Sequence, residues 1–174
     1  MATVPSRRTT YRHAALLGAV AGLRTMLPWA LLATAANRPG TPFLQHSPAP
    51  VRFLRSPVAL AGFSLAAVGE LIADQLPSAP SRLASGALTG RLVSGALASA
   101  VVCLGAQRSP LIGMAIGAAG AGAGAVTGYT TRMTLDRVTG LPDHVWGGVE
   151  DIIALGLGGL ALRQRLQIPD RLER

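Results

Sequence analysis

Residues 57–76 read PVALAGFSLAAVGELIADQL, an apolar run of membrane length into whose last third Glu70 and Asp74 are set. A helix needs ~20 apolar residues to cross the ~30 Å hydrocarbon layer, so the length fits. An acidic residue at the centre of such a helix costs about 2.5–3.5 kcal/mol on insertion scales. A chain that keeps two must supply partners, water or a task for them. The last apolar run, residues 145–162, repeats the pattern with Glu150 and Asp151.

Composition agrees with a membrane reading. Hydrophobic residues make up 49% of the chain and charged residues 14%, and the mean hydropathy is +0.40. That is too apolar for a water-soluble domain of this length. The 21 glycines favour close helix contact, which is how helices associate where lipid gives no hydrophobic drive between them. All 16 positive charges are arginine, and most lie between or outside the apolar runs. They read as flanking charge facing anionic headgroups, and no basic stripe with interleaved aromatics points to nucleic acid. The single cysteine, Cys103, gives no disulfide framework and no cysteine metal site. Residues 7–35 have some features of a signal peptide, but Arg24 interrupts the apolar stretch, and four more apolar segments follow, so retention is expected.

Five apolar segments can be drawn, at residues 14–36, 57–76, 83–107, 110–129 and 145–162, with a proline-rich loop at 37–56. Backbone polar groups in lipid must be satisfied internally, so these segments are expected to be helices. The fold class is all-α: a polytopic transmembrane helical bundle of four to five membrane segments in a single integral membrane domain spanning residues 1–174. The third segment is the ambiguous one, because Arg91 leaves only residues 92–107 uninterrupted, about 24 Å of helix. If it is re-entrant there are four spans, both termini are inside, and the positive-inside rule is better obeyed. If it crosses there are five, and Glu70, Asp74, Glu150 and Asp151 all fall in one leaflet near Arg132. Burying charges together is easier than apart, so five is the expectation carried forward. Residues 18–26 and 124–133 also resemble each other, and five spans would make them an inverted repeat.

Glu70 and Asp74, spaced i and i+4, share one helical face and are suited to sharing a proton or holding a cation. Their structural alternative is a helix-end pair neutralised by arginine. Glu150 and Asp151 point about 100° apart, so only one can face a common site; a dipole role near the helix N-terminus is the alternative. Arg24, in mid-segment, must pair, snorkel or bind an anion, and Glu70 or Asp74 is the expected partner. Pro28, four residues on, predicts a kinked or broken helix. Arg91 and Arg132 are further counter-charges. Gly113, Gly117, Gly120, Gly124 and Gly128 form a packing stripe, within the chain or across a homo-oligomer. His13, His46 and His144 are too scattered for a metal centre, and no cofactor motif is present. Trp146, at a segment end, reads as an interfacial anchor.

These residues resemble a family of small bacterial polytopic membrane proteins catalogued as domain of unknown function 4126. The resemblance rests on 21-AGLRT-25 with Pro28, on 70-ELIADQLP-77 against a family pattern E-x-x-A-D-K-x-P, on Arg91 with Gly95 and Ala96, and on 139-TGLP-142 leading to Glu150 and Asp151. Gln75 stands where the family has lysine, no aspartate pair follows Pro77, and Asp143 after Pro142 departs from the pattern. The resemblance implies a multi-pass protein of the bacterial inner membrane and the same acidic positions, and it supplies no activity. The functional expectation is a small transporter or channel-like protein for a cation, a proton or a proton-coupled solute, with membrane lipids as its surroundings. A structural or assembly role for a charge-locked bundle is the alternative. A lipid-modifying enzyme comes third, because no nucleophile–histidine or aspartate-rich signature accompanies the acids.

Overall fold

The computed structural model describes residues 6–39, 47–74, 84–139 and 143–163. Among them are helices and no strand: α1 (Arg7–Leu23), α2 (Leu27–Ala36), the short α3 (Ala49–Arg52) with a 3-10 turn at Phe53–Arg55, α4 (Pro57–Ala73), α5 (Ser85–Gly105), α6 (Pro110–Thr139) and α7 (Asp143–Arg163). Pro42, His46, Gln75, Pro77, Arg82 and residues 140–142 lie outside the described residues. Of the helices, α5 and α6 are each long and apolar enough to cross a membrane, and α2 and α4 are apolar but shorter.

Local chemistry sets the boundaries. Ser6 caps α1 by accepting from the Thr9 N–H (3.2 Å), and Ser56 caps α4 by accepting from the Ala59 N–H (3.1 Å), with Pro57 opening that helix where a missing N–H costs nothing. Between α5 and α6 the chain turns at Gln107, whose φ of 53° is left-handed, and the Arg108 N–H closes the turn on Cys103 O (2.8 Å).

The first apolar segment departs from expectation most. It is two helices, broken at Arg24, Thr25 and Met26, and α2 runs back alongside α1. The direction follows from α7, where Asp151 meets Arg24, Ala154 packs with Val20, Leu23 and Leu27, and Gly158 faces Leu31. Further along α7, Ala161 joins Leu17, Leu32 and Ala36 in one apolar cluster. Residues on both sides of Arg24 share one level, Val20 and Leu27 clustering with Ala154 and Leu17 and Leu32 with Ala161, and only a fold-back allows that. We call the level of Arg24 the apex and the opposite end, where α1 begins and α2 finishes, the base. Pro28 occupies the second position of α2, where proline is tolerated, so the expected break is present and is also a reversal.

That reversal reorders everything downstream. α4 rises from base to apex, since Leu54 O accepts from Asn37 Nδ2 (2.9 Å) near its start, Phe63 stacks on Trp29 (5.6 Å between centroids), and Glu70 reaches Thr25. α5 descends, with Ser94 beside Thr25 and Ser99 beside Ala14. α6 rises and α7 descends. The third segment is therefore an uninterrupted helix, and the first is the one that folds back. Residues 18–26 and 124–133 lie on helices running the same way, so the repeat is not inverted. The second copy also stays helical through Arg132 where the first breaks.

The core is built by close approach of α1, α5 and α6. Gly18 faces the Gly117 backbone, Gly22 faces Ala121 and Ala125, Gly95 sits against Ala121, Gly113 against Ser99 and Cys103, and Gly120 and Gly124 against α1 at Ala15 and Ala19. Gly128 is buried as well. The stripe on α6 is thus spent inside the chain, and a homo-oligomer would have to use another face. By contrast Gly62 and Gly69 on α4 have nothing near them. Gly117→Ala would drive a methyl into Gly95 O and the Ser99 side chain, and is expected to cost about 1–3 kcal/mol as overpacking. Gly62→Ala should be neutral or slightly stabilising. Thermal melts of the two purified variants in detergent check the contrast.

Candidate functional site

The apex of the α1–α2 hairpin exposes polar backbone that no helix satisfies, and five of those groups have partners from α4 and α5. The last carbonyls of α1 carry the negative end of its dipole. Arg91 of α5 meets them, its Nη1 donating to Gly22 O (2.9 Å) and Leu23 O (2.6 Å). On the other side of the break, the N–H groups of Thr25 and Met26 point at Glu70 of α4, whose Oε1 and Oε2 accept from them at 2.6 and 2.7 Å. A carboxylate there also faces the positive end of α2. The Thr25 carbonyl accepts from Ser94 Oγ (2.6 Å), which in turn accepts from the Trp29 indole N–H (2.9 Å). An irregular turn of this kind is sustainable away from water only when its groups are accounted for in this way.

Arg24 sits at the centre of this apex, 1% exposed. Its Nη1 is paired with Asp74 Oδ2 of α4, and its Nε and Nη2 both face Asp151 Oδ1 of α7 at 2.5 Å. One guanidinium thus ties the hairpin to two helices on opposite flanks of α2. The aspartates stay partly open, with side chains 22% and 14% exposed, so two carboxylates border the apex while their shared cation lies beneath them.

The expected site residues therefore converge, although in different roles. Asp74 is the partner of Arg24, as expected, and Asp151 is a second one. Glu70 shares a face with Asp74 but binds backbone. Glu150 is buried (8% exposed) on α7, one position round from Asp151, so the two acids do divide their directions. Arg132 lies near Gly147, along α6 beyond the apex, and not on the Arg24 pairs. Ser94 and the Thr25 and Met26 amides were not singled out from sequence. A serine in a glycine-rich helix carries no distinguishing signal, and Pro28 marked a break in the helix without marking the turn.

The described residues, all-helical and glycine-packed, thus gather acids of two distant helices around a helix break. A family model described as "Domain of unknown function (DUF4126)" matches residues 13–165. The chain belongs to that family, and the matched span contains every residue of the apex. No curated protein and no solved structure matches the chain.

Proposed function

We propose that this is a multi-pass membrane protein that moves protons or a proton-coupled solute, with the hairpin apex as its working site. Four helices, α4 to α7, would traverse the bilayer, and α1–α2 would enter from the base as a re-entrant hairpin. The side chains of Leu65, Ile72, Leu111, Ile152 and Leu160 face outward as lipid-facing residues would. The chain folds back at Arg24, so α1 (~25 Å) and α2 (~15 Å) enter and leave at the base and neither need cross completely. The observation that carries the functional reading is that Asp74 and Asp151, partly open, share one buried arginine at a broken helix. Broken helices of this kind build solute and ion sites in transporters. Proton uptake by either aspartate weakens its hold on Arg24, and with it one link between the hairpin and a flanking helix. A bare metal cation would have to compete with the guanidinium, so a proton fits better.

The test is flux. In proteoliposomes under a pH gradient, the wild type should carry a proton-dependent flux. Asp74→Asn, which leaves Arg24 paired to Asp151, should lose most of that flux while eluting as a folded species. Unchanged flux in that variant, or no flux in the wild type under any gradient, would sink the reading. One observation favours a second reading, a structural lock: both oxygens of Glu70 are engaged by backbone. On that reading Asp74→Asn lowers thermal stability and flux is never seen.

A further inference from the structure

The fold sorts charge from end to end in a way the linear order conceals. At the base lie Arg7, Arg8 and Arg12 of α1, Arg38 after α2, Arg52 and Arg55 before α4, and Arg108 in the α5–α6 turn. They come from four separate segments, and the first acid in the chain is Glu70. Every acid among the described residues belongs to the apical half: Glu70 and Asp74 at the top of α4, Asp136 near the end of α6, and Asp143, Glu150 and Asp151 on the first turns of α7. The apical arginines beyond the hairpin, Arg132 and Arg137, thus share their end of the fold with acids.

Guanidinium groups stay charged under all relevant conditions. Each basic residue at an anionic leaflet contributes about 1 kcal/mol of attraction. Basic residues in short loops close to the ends of crossing helices are also the ones that set orientation during insertion, while acids count little. Arg52, Arg55 and Arg108 lie within a few residues of the ends of α4, α5 and α6, the helices read above as crossing, and Arg7, Arg8, Arg12 and Arg38 lie at the same end of the fold. From this we infer that the base is the surface that meets the anionic lipid headgroups of the cytoplasmic leaflet. The start of α1 and the end of α7 are then both cytoplasmic, and the acid-bordered apex faces the opposite side of the membrane. The inference rests on the membrane reading above and adds the side from which the apex is reached: a proton arrives at Asp74 and Asp151 from outside the cytoplasm.

Site-directed labelling tests it. Cys103 is fully buried and can be replaced by alanine, after which single cysteines are introduced at the base by Phe53→Cys and beyond the apex by Val138→Cys, both at exposed positions. In intact spheroplasts, a membrane-impermeant maleimide should label the Val138→Cys variant, and should label the Phe53→Cys variant only after permeabilisation. The reverse pattern, or labelling of both in intact spheroplasts, overturns the orientation. Release of the protein by alkaline carbonate overturns the membrane reading itself and the orientation with it. A further variant carrying Arg7→Gln, Arg8→Gln, Arg12→Gln and Arg52→Gln should admit label to residue 53 in intact spheroplasts for a fraction of molecules. If all molecules keep the original orientation, the arginines do not set it.

Discussion

Arg24→Gln is expected to leave little folded protein. Removing one partner from a buried ion pair costs about 3–5 kcal/mol, because the partner left behind keeps its charge and loses its compensation. Here two carboxylates, Asp74 and Asp151, lose the same cation at once. Their partial exposure lets water relieve some of the cost, yet the loss still removes a large part of a typical total stability of about 5–15 kcal/mol. The geometry also loses a side chain that joins the hairpin to α4 and α7 at once. Arg24→Lys should fall between wild type and Arg24→Gln, since an ammonium keeps the charge but carries its three N–H groups on one nitrogen and cannot span the separate positions that Nη1 and Nε hold against two helices. The control is the triple variant Arg24→Gln, Asp74→Asn, Asp151→Asn, which removes the uncompensated charge and should recover much of the folded fraction. Fluorescence-detected size exclusion of all three in mild detergent gives the answer. Equal recovery of Arg24→Gln and wild type would show that the apex is not held by these pairs.

How far this apex was legible in the sequence depended on which contacts were local. The break near Arg24 was legible because Pro28 cannot continue an intact helix, and its partner was legible as Glu70 or Asp74 because an internal arginine has few options; the structure selects Asp74. The reversal was not. Thr25 and Met26 carry no turn signal such as glycine or asparagine, and the fold-back is sustained by Glu70, Arg91 and Ser94, which arrive from two other helices. Taking residues 14–36 as one segment then inverted the sense of every later helix. This is why a four-span reading separated the acidic pairs, whereas the hairpin brings them together with the start of α1 and the end of α7 at the base.

Arg91 misled for a related reason. A charge that divides an apolar run suggests an interruption, but its side chain lies against the open carbonyls of α1, a need created by the hairpin and invisible in residues 83–107. The glycine stripe was legible as a packing surface, since spacing alone puts its members on one face. Which helices it would meet was not, because α1 and α5 offer small residues at many registers and the choice is made by shape in three dimensions.

Glu70→Gln decides whether Glu70 only caps the apex or also takes part in the flux proposed for Asp74 and Asp151, because the substitution keeps the shape and changes the chemistry. Glutamine retains one acceptor oxygen and turns the other position into a donor, so one of the Thr25 and Met26 amides keeps its bond and the other faces an N–H group. A lost bond to a charged acceptor corresponds to about 1.5–3 kcal/mol, so the variant should melt earlier than wild type but still fold and insert. Glu70→Ala, which leaves both amides without this acceptor, should lose roughly twice as much by the same measure. If Glu70 is only a cap, flux per folded molecule in the Glu70→Gln variant stays at the wild-type level. If proton uptake by Glu70 releases the apex from α4 during each cycle, the variant is caught in a single protonation-independent state, and flux per folded molecule falls to background. The normalisation to folded protein is the decisive step, because both readings predict a stability loss and only one predicts a loss of flux beyond it.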